Sequence, residues 1–486
     1  MSTLKKFFKD TIIYGIAAIL PRAINIGLVK LHTSVFGAEK YAVNTDYYVY
    51  AAYLNALLTY GLETAFFRFF SKEQEKGKVI STSFISLLIT TTLFLIIGLL
   101  CAENITNFFS FENVLHVKIL IWTVFLDTIV VIPFAYLRVT NRPIRFTAIK
   151  IFNIAVFAFL NILFLWLIPN GYVSDSMLPE SFRFYNNLKP EVIFIFLANV
   201  TASLLTLIPL SPILFKIKWT IHIPVLKKLL TYSIPIMIGS LAYVTNENID
   251  KLFLGDLIGD KEMGIYAGCY KLGVFMTLYI MAFRLGAEPF FFNHAKEKNA
   301  KKNYATILKW FTILGAIFML VIVCYIDLFA GILLGREEYF EALKIVPIIL
   351  LANLCLGIYN NLSIWYKLTD KTRYGMYISI FGAVITILSN IIMIPIIGFM
   401  ASAWATLAAY GSMMVISYFL GKKHYEVPYN TKSVLFYLAL ASVLSFISFI
   451  DTFRGNYYVA TGLVLVFLGI IFILEKNELK QVLKNK

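Results

Sequence analysis

Residues 136–163 read YLRVTNRPIRFTAIKIFNIAVFAFLNIL, and residues 365–392 read WYKLTDKTRYGMYISIFGAVITILSNII. At a fixed offset of 229 positions, Thr140 meets Thr369, Ile151-Phe152 meets Ile380-Phe381 and Asn161 meets Asn390. Arg138, Asn141 and Arg142 meet Lys367, Asp370 and Lys371. Two further echoes keep the same order. FGAEKYAVNTDYY from 36 pairs with IGDKEMGIYAGCY from 258 at offset 222, and GLETAFFRFF from 61 pairs with GAEPFFFNHA from 286 at offset 225. One such match follows easily from shared composition. Three in order argue for an internal duplication.

Composition says what is duplicated. The 486 residues are 59% hydrophobic with a mean hydropathy of +0.77, beyond what a soluble core can bury. A helix needs about 20 mostly apolar residues to cross a bilayer. Candidates fall at 11–36, 42–67, 79–100, 119–137, 146–168, 192–215, 229–254, 263–290, 304–326, 345–366, 374–394, 399–420, 433–450 and 456–474. The basic start MSTLKKFFKD leads straight into the first of these without a small-residue cleavage site, so it reads as a retained span.

The charge distribution tests this count independently. Fourteen spans with both termini on one side place 30 of the 43 Lys and Arg on the terminus side, nine on the opposite side and four inside spans. That asymmetry obeys the positive-inside rule and predicts cytoplasmic termini. The net charge of +15 then reports topology and calls for no nucleic acid. The four cysteines stand singly with no metal-ligand spacing, so no metal is expected.

The repeat maps the second span onto the eighth and the fifth onto the eleventh. A shift of six helices keeps orientation, so the two copies are parallel, related by an axis along the membrane normal. The expected fold is an all-α polytopic membrane protein with two six-helix bundles, at 1–218 and 219–424. Residues 425–486 add two helices and a tail. Two like bundles leave a cleft suited to alternating access.

Ten charged residues fall inside the spans: Arg22, Asp46, Glu63, Asp127, Glu247, Asp250, Lys251, Lys271, Arg284 and Glu288. Each costs roughly 2.5–3.5 kcal/mol at a helix centre, so they must pair, lie near an interface or face water. Arg22 is the deepest, with Pro21 beside it and Asn25 one turn away; it is either a cleft cation or half of a structural pair. Lys271 and Arg284 share a helix, and Arg284 can pair with Glu288. On the seventh span, Gly239, Tyr243, Asn246 or Glu247, and Asp250 recur every three or four residues and are expected to share a cleft-facing side, with Asp250-Lys251 toward the interface. Tyr359, Asn360 and Asn361 add polar groups from the tenth span. Glu63 and Glu288 read as duplicated helix ends that pair with basic residues at the inner surface. No GxxxxGK[ST], HExxH, GxSxG or GxGxxG occurs, so neither an ATPase nor any of these hydrolase or dinucleotide-binding types is built in.

Two stretches carry a family resemblance. LPRAINIGLVKLHTSVFGAEKYAVNTDYYVYAAYLNALLTYGLETAFFRFFSK and IPIMIGSLAYVTNENIDKLFLGDLIGDKEMGIYAGCYKL resemble the corresponding helices of bacterial polysaccharide-biosynthesis membrane proteins, and IPIIGFMASAWATLAAY resembles their helix 11–12 pattern. These are the Wzx-like oligosaccharide-lipid flippases of the MOP superfamily, whose relatives include the MurJ lipid II flippases and the MATE drug exporters. The resemblance implies a non-enzymatic carrier in the bacterial inner membrane. It would move an undecaprenyl-pyrophosphate-linked glycan outward by alternating access. It would need no cofactor and would draw on H+, Na+ or the membrane potential, with a polysaccharide polymerase and glycosyltransferases as working partners.

By that resemblance Arg22 occupies the helix 1 arginine position, fifteen residues before Gly37. Asp46 falls near a helix 2 acid of the MurJ branch, and Asp250 matches the helix 7 acid. Where MurJ carries a second helix 1 arginine, this chain has Lys30, which weakens a lipid II assignment. The expected roles are then diphosphate binding by Arg22, Lys271 and Arg284, and sugar or cleft contacts by Asn25, Tyr243, Asn246 and Asn361. Asp46, Glu247 and Asp250 are ion-coupling candidates. A lipid II flippase, a cation-coupled MATE exporter using Asp46, Asp127, Glu247 and Asp250, and a membrane polymerase or ligase stand as alternatives.

Overall fold

A computed structural model describes residues 3–72, 76–173, 190–293, 295, 297–369, 371 and 373–484. No strand occurs among them. Fourteen long helices follow the predicted order: α1 Thr3–Val35, α2 Ala38–Thr59, α3 Lys76–Leu100, α4 Val114–Val139, α5 Pro143–Leu167, α6 Ile193–Leu214, α7 Ile223–Ile258, α8 Asp260–Asn293, α9 Ala300–Cys324, α10 Glu337–Leu368, α11 Arg373–Ile397, α12 Met400–His424, α13 Thr431–Ser448 and α14 Tyr457–Lys484. In lipid every backbone polar group must be satisfied within the segment, and a helix does this for an apolar run of any such sequence. Twelve of the fourteen, α3 to α14, are long and apolar enough to cross a membrane by that test alone. α2 is the most polar of the long helices, carrying Asn44, Thr45, Asp46 and five tyrosines from Tyr41 to Tyr53.

Helix-on-helix packing repeats with the sequence. In the first bundle α1 packs on α5, α5 on α6, α4 on α6, α2 on α4 and α3 on α4. In the second, α7 packs on α11, α11 on α12, α10 on α12, α8 on α10 and α9 on α10. Each pair in the second list is the first shifted by six helices. Individual hydrogen bonds repeat at the offset of 229. Thr140 Oγ1 donates to the Tyr136 carbonyl at 2.7 Å, and Thr369 Oγ1 to the Trp365 carbonyl at 2.8 Å. Asn161 Nδ2 donates to the Phe157 carbonyl at 2.8 Å, and Asn390 Nδ2 to the Thr386 carbonyl at 2.7 Å. The duplicated asparagines then use their free oxygens to tie neighbouring helices, Asn161 to His32 and Asn390 to Ser402.

One predicted span is broken. The stretch 42–67 was expected as one helix, but α2 stops at Thr59, and Tyr60 and Gly61 take left-handed backbone angles of φ 32° and 68°. A Cβ on Gly61 would lie 2.7 Å from the Ser233 carbonyl oxygen of α7, so the turn and the close approach both select glycine. The chain resumes as a short amphipathic helix, Leu62–Lys72, whose Leu62, Ala65 and Phe66 are buried. Glu63 on it accepts a hydrogen bond from Arg138 at 3.1 Å, so it does pair with a basic residue. The Glu288 side chain lies outside the described residues.

α13 and α14 form a hairpin on α9, pinned at both ends. At the end that carries the termini, Lys309 of α9 pairs with Glu475 at 2.8 Å and Glu478 at 2.6 Å. At the far end Arg454 in the hairpin turn pairs with Asp327 at 2.7 Å.

Candidate functional site

The two bundles meet along α1 and α2 on one side and α7 and α8 on the other. At the far end this seam is closed, largely by main chain. Lys30 Nζ donates to the carbonyls of Gly331 at 2.8 Å and Leu334 at 2.6 Å. These oxygens belong to the last turn of the helix Ile326–Leu333 and its cap, where helix carbonyls lack intrahelical donors and favour a cation. Gly335 N donates to Thr33 Oγ1 at 2.8 Å, and Arg336 donates to the carbonyls of Ser34 and Val35 at 3.3 and 3.0 Å. Tyr339 OH donates to the Phe36 carbonyl at 3.1 Å, and Ala38 N to Glu338 Oε1 at 3.1 Å. A Cβ on Gly264 would sit 1.9 Å from the Ala38 oxygen, and one on Gly335 2.2 Å from Ser34. Only glycine allows the two bundles to approach this closely.

Toward the terminus end the same seam carries charge. Arg22 and Asn25, one turn apart on α1, are exposed, and so is Arg284 on α8. Arg22, Arg284 and Glu247 all lie within electrostatic reach of the Tyr243 hydroxyl on α7. Lys271 of α8 is half-buried, within reach of Glu247 and Lys251. Arg22 has no ion-pair partner among the described residues. Three helices from two bundles thus bring cations, an acid and a phenol within electrostatic reach of one another. Tyr243 also lines a cavity of 580 Å³ that runs along α7 past Gly239, Tyr232, Tyr359 and Tyr366 to Arg373 at the start of α11. Tyr359 and Tyr366 share a hydrogen bond at 3.2 Å on its wall.

The remaining sequence candidates lie elsewhere. Asn246 is buried between α7 and α11, donating to the Ser379 carbonyl at 3.0 Å and accepting from Thr386 at 3.1 Å. Asn361 is buried in α10, its Nδ2 donating to the Gly357 carbonyl at 3.0 Å. Asp250 is buried. It pairs with Lys251 at 2.9 Å and accepts from Tyr266 OH at 2.6 Å, while Lys251 lies 4.0 Å over the Tyr270 ring. That arrangement neutralises both charges within the second bundle. Asp46 is half-buried on α2, facing Asp256 and Asp260. Arg373, Tyr232 and Tyr366 were not singled out from the sequence. Arg373 read as a topological loop charge, and a tyrosine in an apolar run carries no signal of the cavity it faces. Among the described residues no group of three or more His, Cys, Asp or Glu side chains is placed to hold a metal.

Two parallel bundles sealed at one end make a fold similar to that of solved transporters of the MOP superfamily. The chain belongs to the polysaccharide biosynthesis protein family, whose model matches residues 7–291, and the MatE model matches residues 235–392. The fold is similar to that of the lipid II flippase MurJ in an inward closed conformation, with a TM-score of 0.74 and 16% identity over 95% of this chain and 99% of that one. It is also similar to a multidrug resistance MATE family transporter in an inward-facing conformation, with a TM-score of 0.67 and 12% identity over 85% and 97%. An outward-facing MATE structure gives 0.62 and 13% over 86% and 95%. No curated protein sequence matches the chain.

Proposed function

We propose that the chain is a flippase for a polyprenyl-pyrophosphate-linked oligosaccharide, the repeat unit of a surface polysaccharide such as O-antigen or capsule. It carries this unit from the cytoplasmic to the periplasmic leaflet of a bacterial inner membrane. The observation that carries the reading is that Arg22 from one bundle and Arg284 from the other both lie within electrostatic reach of Tyr243. A diphosphate must cross about 30 Å of hydrocarbon. Its oxygens can exchange water for guanidinium groups, which bind phosphate bidentately. A cation contributed by each bundle lets the bound diphosphate couple to their relative motion.

In this reading the termini are cytoplasmic, as the Lys and Arg distribution suggests, and the closed far end is periplasmic. Arg22 and Arg284 grip the diphosphate, with Lys271 deeper in the gap. Asn25, Tyr243 and the tyrosine-lined cavity accommodate the first sugars. The polyprenyl tail stays in lipid, passing between α1 and α8. Outward passage requires the far-end seam to open. Glu247, beside Tyr243 and Lys271, is the group of this gap best placed to take up a proton or cation during the cycle, so the driving force is an ion gradient or the membrane potential. Glycosyltransferases that load the carrier and a polymerase that consumes the flipped unit are the implied partners. A drug-exporter reading would want an acidic gap, whereas the cations Arg22, Lys271 and Arg284 outnumber the acid Glu247 here among the described residues.

The test is Arg22→Ala in the producing cell. Normal membrane levels with loss of surface polysaccharide are expected. Wild-type polysaccharide at normal protein levels would remove Arg22 from the proposed role.

A further inference from the structure

The first bundle contains a second cavity, of 470 Å³, that the central gap does not account for. Its size lies in the range of small-molecule sites, about 300–1,000 Å³. Its walls are unusual for a membrane bundle. Asn55 comes from α2, Asp127 from α4, Lys150 and Asn153 from α5, and Asn199 and Ser203 from α6. Intramembrane charges and amides are expensive, and they persist where they face an aqueous or ligand-filled space.

The internal bonding leaves these groups part-used. Asp127 accepts from Ser203 at 2.7 Å, and Asn153 donates to Thr206 at 3.0 Å. Asp127 and Lys150 lie within electrostatic reach of each other, yet no ion pair joins them. The Lys150 ammonium instead sits 4.3 Å over the Phe134 ring. The Asn55 amide has no hydrogen-bond partner among the described residues. A carboxylate and an ammonium that face one cavity without closing on each other leave room for a ligand that both accepts and donates. Ser240 of α7 borders this cavity and the tyrosine-lined one, so the two adjoin one turn from Tyr243.

We infer that the first-bundle cavity is a saccharide subsite, in which Asp127 accepts hydrogen bonds from ring hydroxyls while Lys150, Asn55 and Asn153 donate to ring, hydroxyl or acetamido oxygens. The inference rests on the flippase reading, because it places the sugar beside a diphosphate held at Arg22. A neutral pyranose has the matching chemistry, with several hydroxyls that each donate and accept. An apolar tail does not, and a bare diphosphate would meet Asp127.

The probe is geranyl diphosphate, bare or carrying glucose, galactose, N-acetylglucosamine or N-acetylgalactosamine, titrated against the purified full-length protein. At least one glycosylated probe should bind about tenfold or more tighter than the bare one. Asn153→Leu and Lys150→Met should each erase that increment while bare-probe binding stays at the wild-type level, which also shows that the variants fold. Equal binding of all five probes to the wild type would overturn the inference, as would an increment that survives both variants. An Asp127→Asn protein whose transport loses pH dependence but keeps the sugar increment would mark a proton site and overturn it too. The flippase reading fails separately, if Arg22→Ala leaves bare-probe binding unchanged.

Discussion

α1 meets the second bundle in two ways, and the contrast between its two ends separates closure from cargo. At the far end, Lys30 to Ala38 face Gly331 to Tyr339 through carbonyls, amide groups and glycines. Toward the terminus end, Arg22 and Asn25 are exposed, and Arg22 lies within electrostatic reach of Tyr243 on α7. Main-chain contacts have fixed geometry and either fit or break. Arginine, lysine and tyrosine side chains adapt to a ligand. A seam that must alternate between two states is well served by the first, and a gap that must hold a changing headgroup by the second.

The largest effect on transport is expected from disturbing the fit of the seam. Gly264→Val places carbon where the Ala38 oxygen lies, so the far end cannot close. Transport should be lost, and a cysteine at position 33, where Thr33 is 0% exposed, should become reactive to a membrane-impermeant maleimide added from outside. Retained transport with a protected Cys at 33 would break the comparison.

Lys30→Met is expected to act in the same direction with less force. It removes two charge-assisted bonds to carbonyls, worth about 1.5–3 kcal/mol each at most. A net loss equal to one such bond biases a two-state seam toward opening by roughly ten- to a hundredfold. Maleimide labelling at position 33 should rise accordingly, and Lys30→Arg should restore part of the protection. Unchanged labelling in Lys30→Met would mean that the seam does not depend on this cation.

In the tyrosine-lined cavity, Arg373→Ala should slow transport by about tenfold or less, because Arg373 lines that cavity but is not among the charges that reach Tyr243. Labelling at position 33 should not change, which distinguishes a cargo defect from a closure defect. The smallest effect on transport belongs to Lys309→Met. It strips the partner from Glu475 and Glu478 in the appended hairpin and should lower the melting temperature by several degrees at near-normal transport. A transport defect at normal protein levels would bring that hairpin into the mechanism.

The fold was legible because lipid simplifies the code. Apolar length marks spans, Lys and Arg alternate by side, and the Thr140/Thr369 and Asn161/Asn390 echoes turned out to make the same backbone bonds in both bundles. The break at Tyr60-Gly61 was hidden, since an apolar run continues through it and only the Ser233 carbonyl across the seam explains the glycine. The site was legible in part. Tyr243 and Glu247 recur every four residues and turn toward the gap. Asn246 and Asp250 keep the same spacing one residue earlier, and that step of about 100° around the helix carries them onto α11 and α8. Periodicity finds a polar face but does not say which neighbour it meets. Lys150 was hidden differently, because near a helix end a lysine reads as topology until the cavity beneath it is seen.

The most direct test is a leaflet-resolved assay of lipid-linked oligosaccharide, extracted from the producing cells and reconstituted in vesicles. Vesicles with the wild-type protein should make the glycan accessible on the opposite face, while protein-free vesicles and vesicles with Arg22→Ala should hold it in place. Equal movement with and without the protein, or undiminished movement with Arg22→Ala, would contradict a cationic gap that carries the headgroup across.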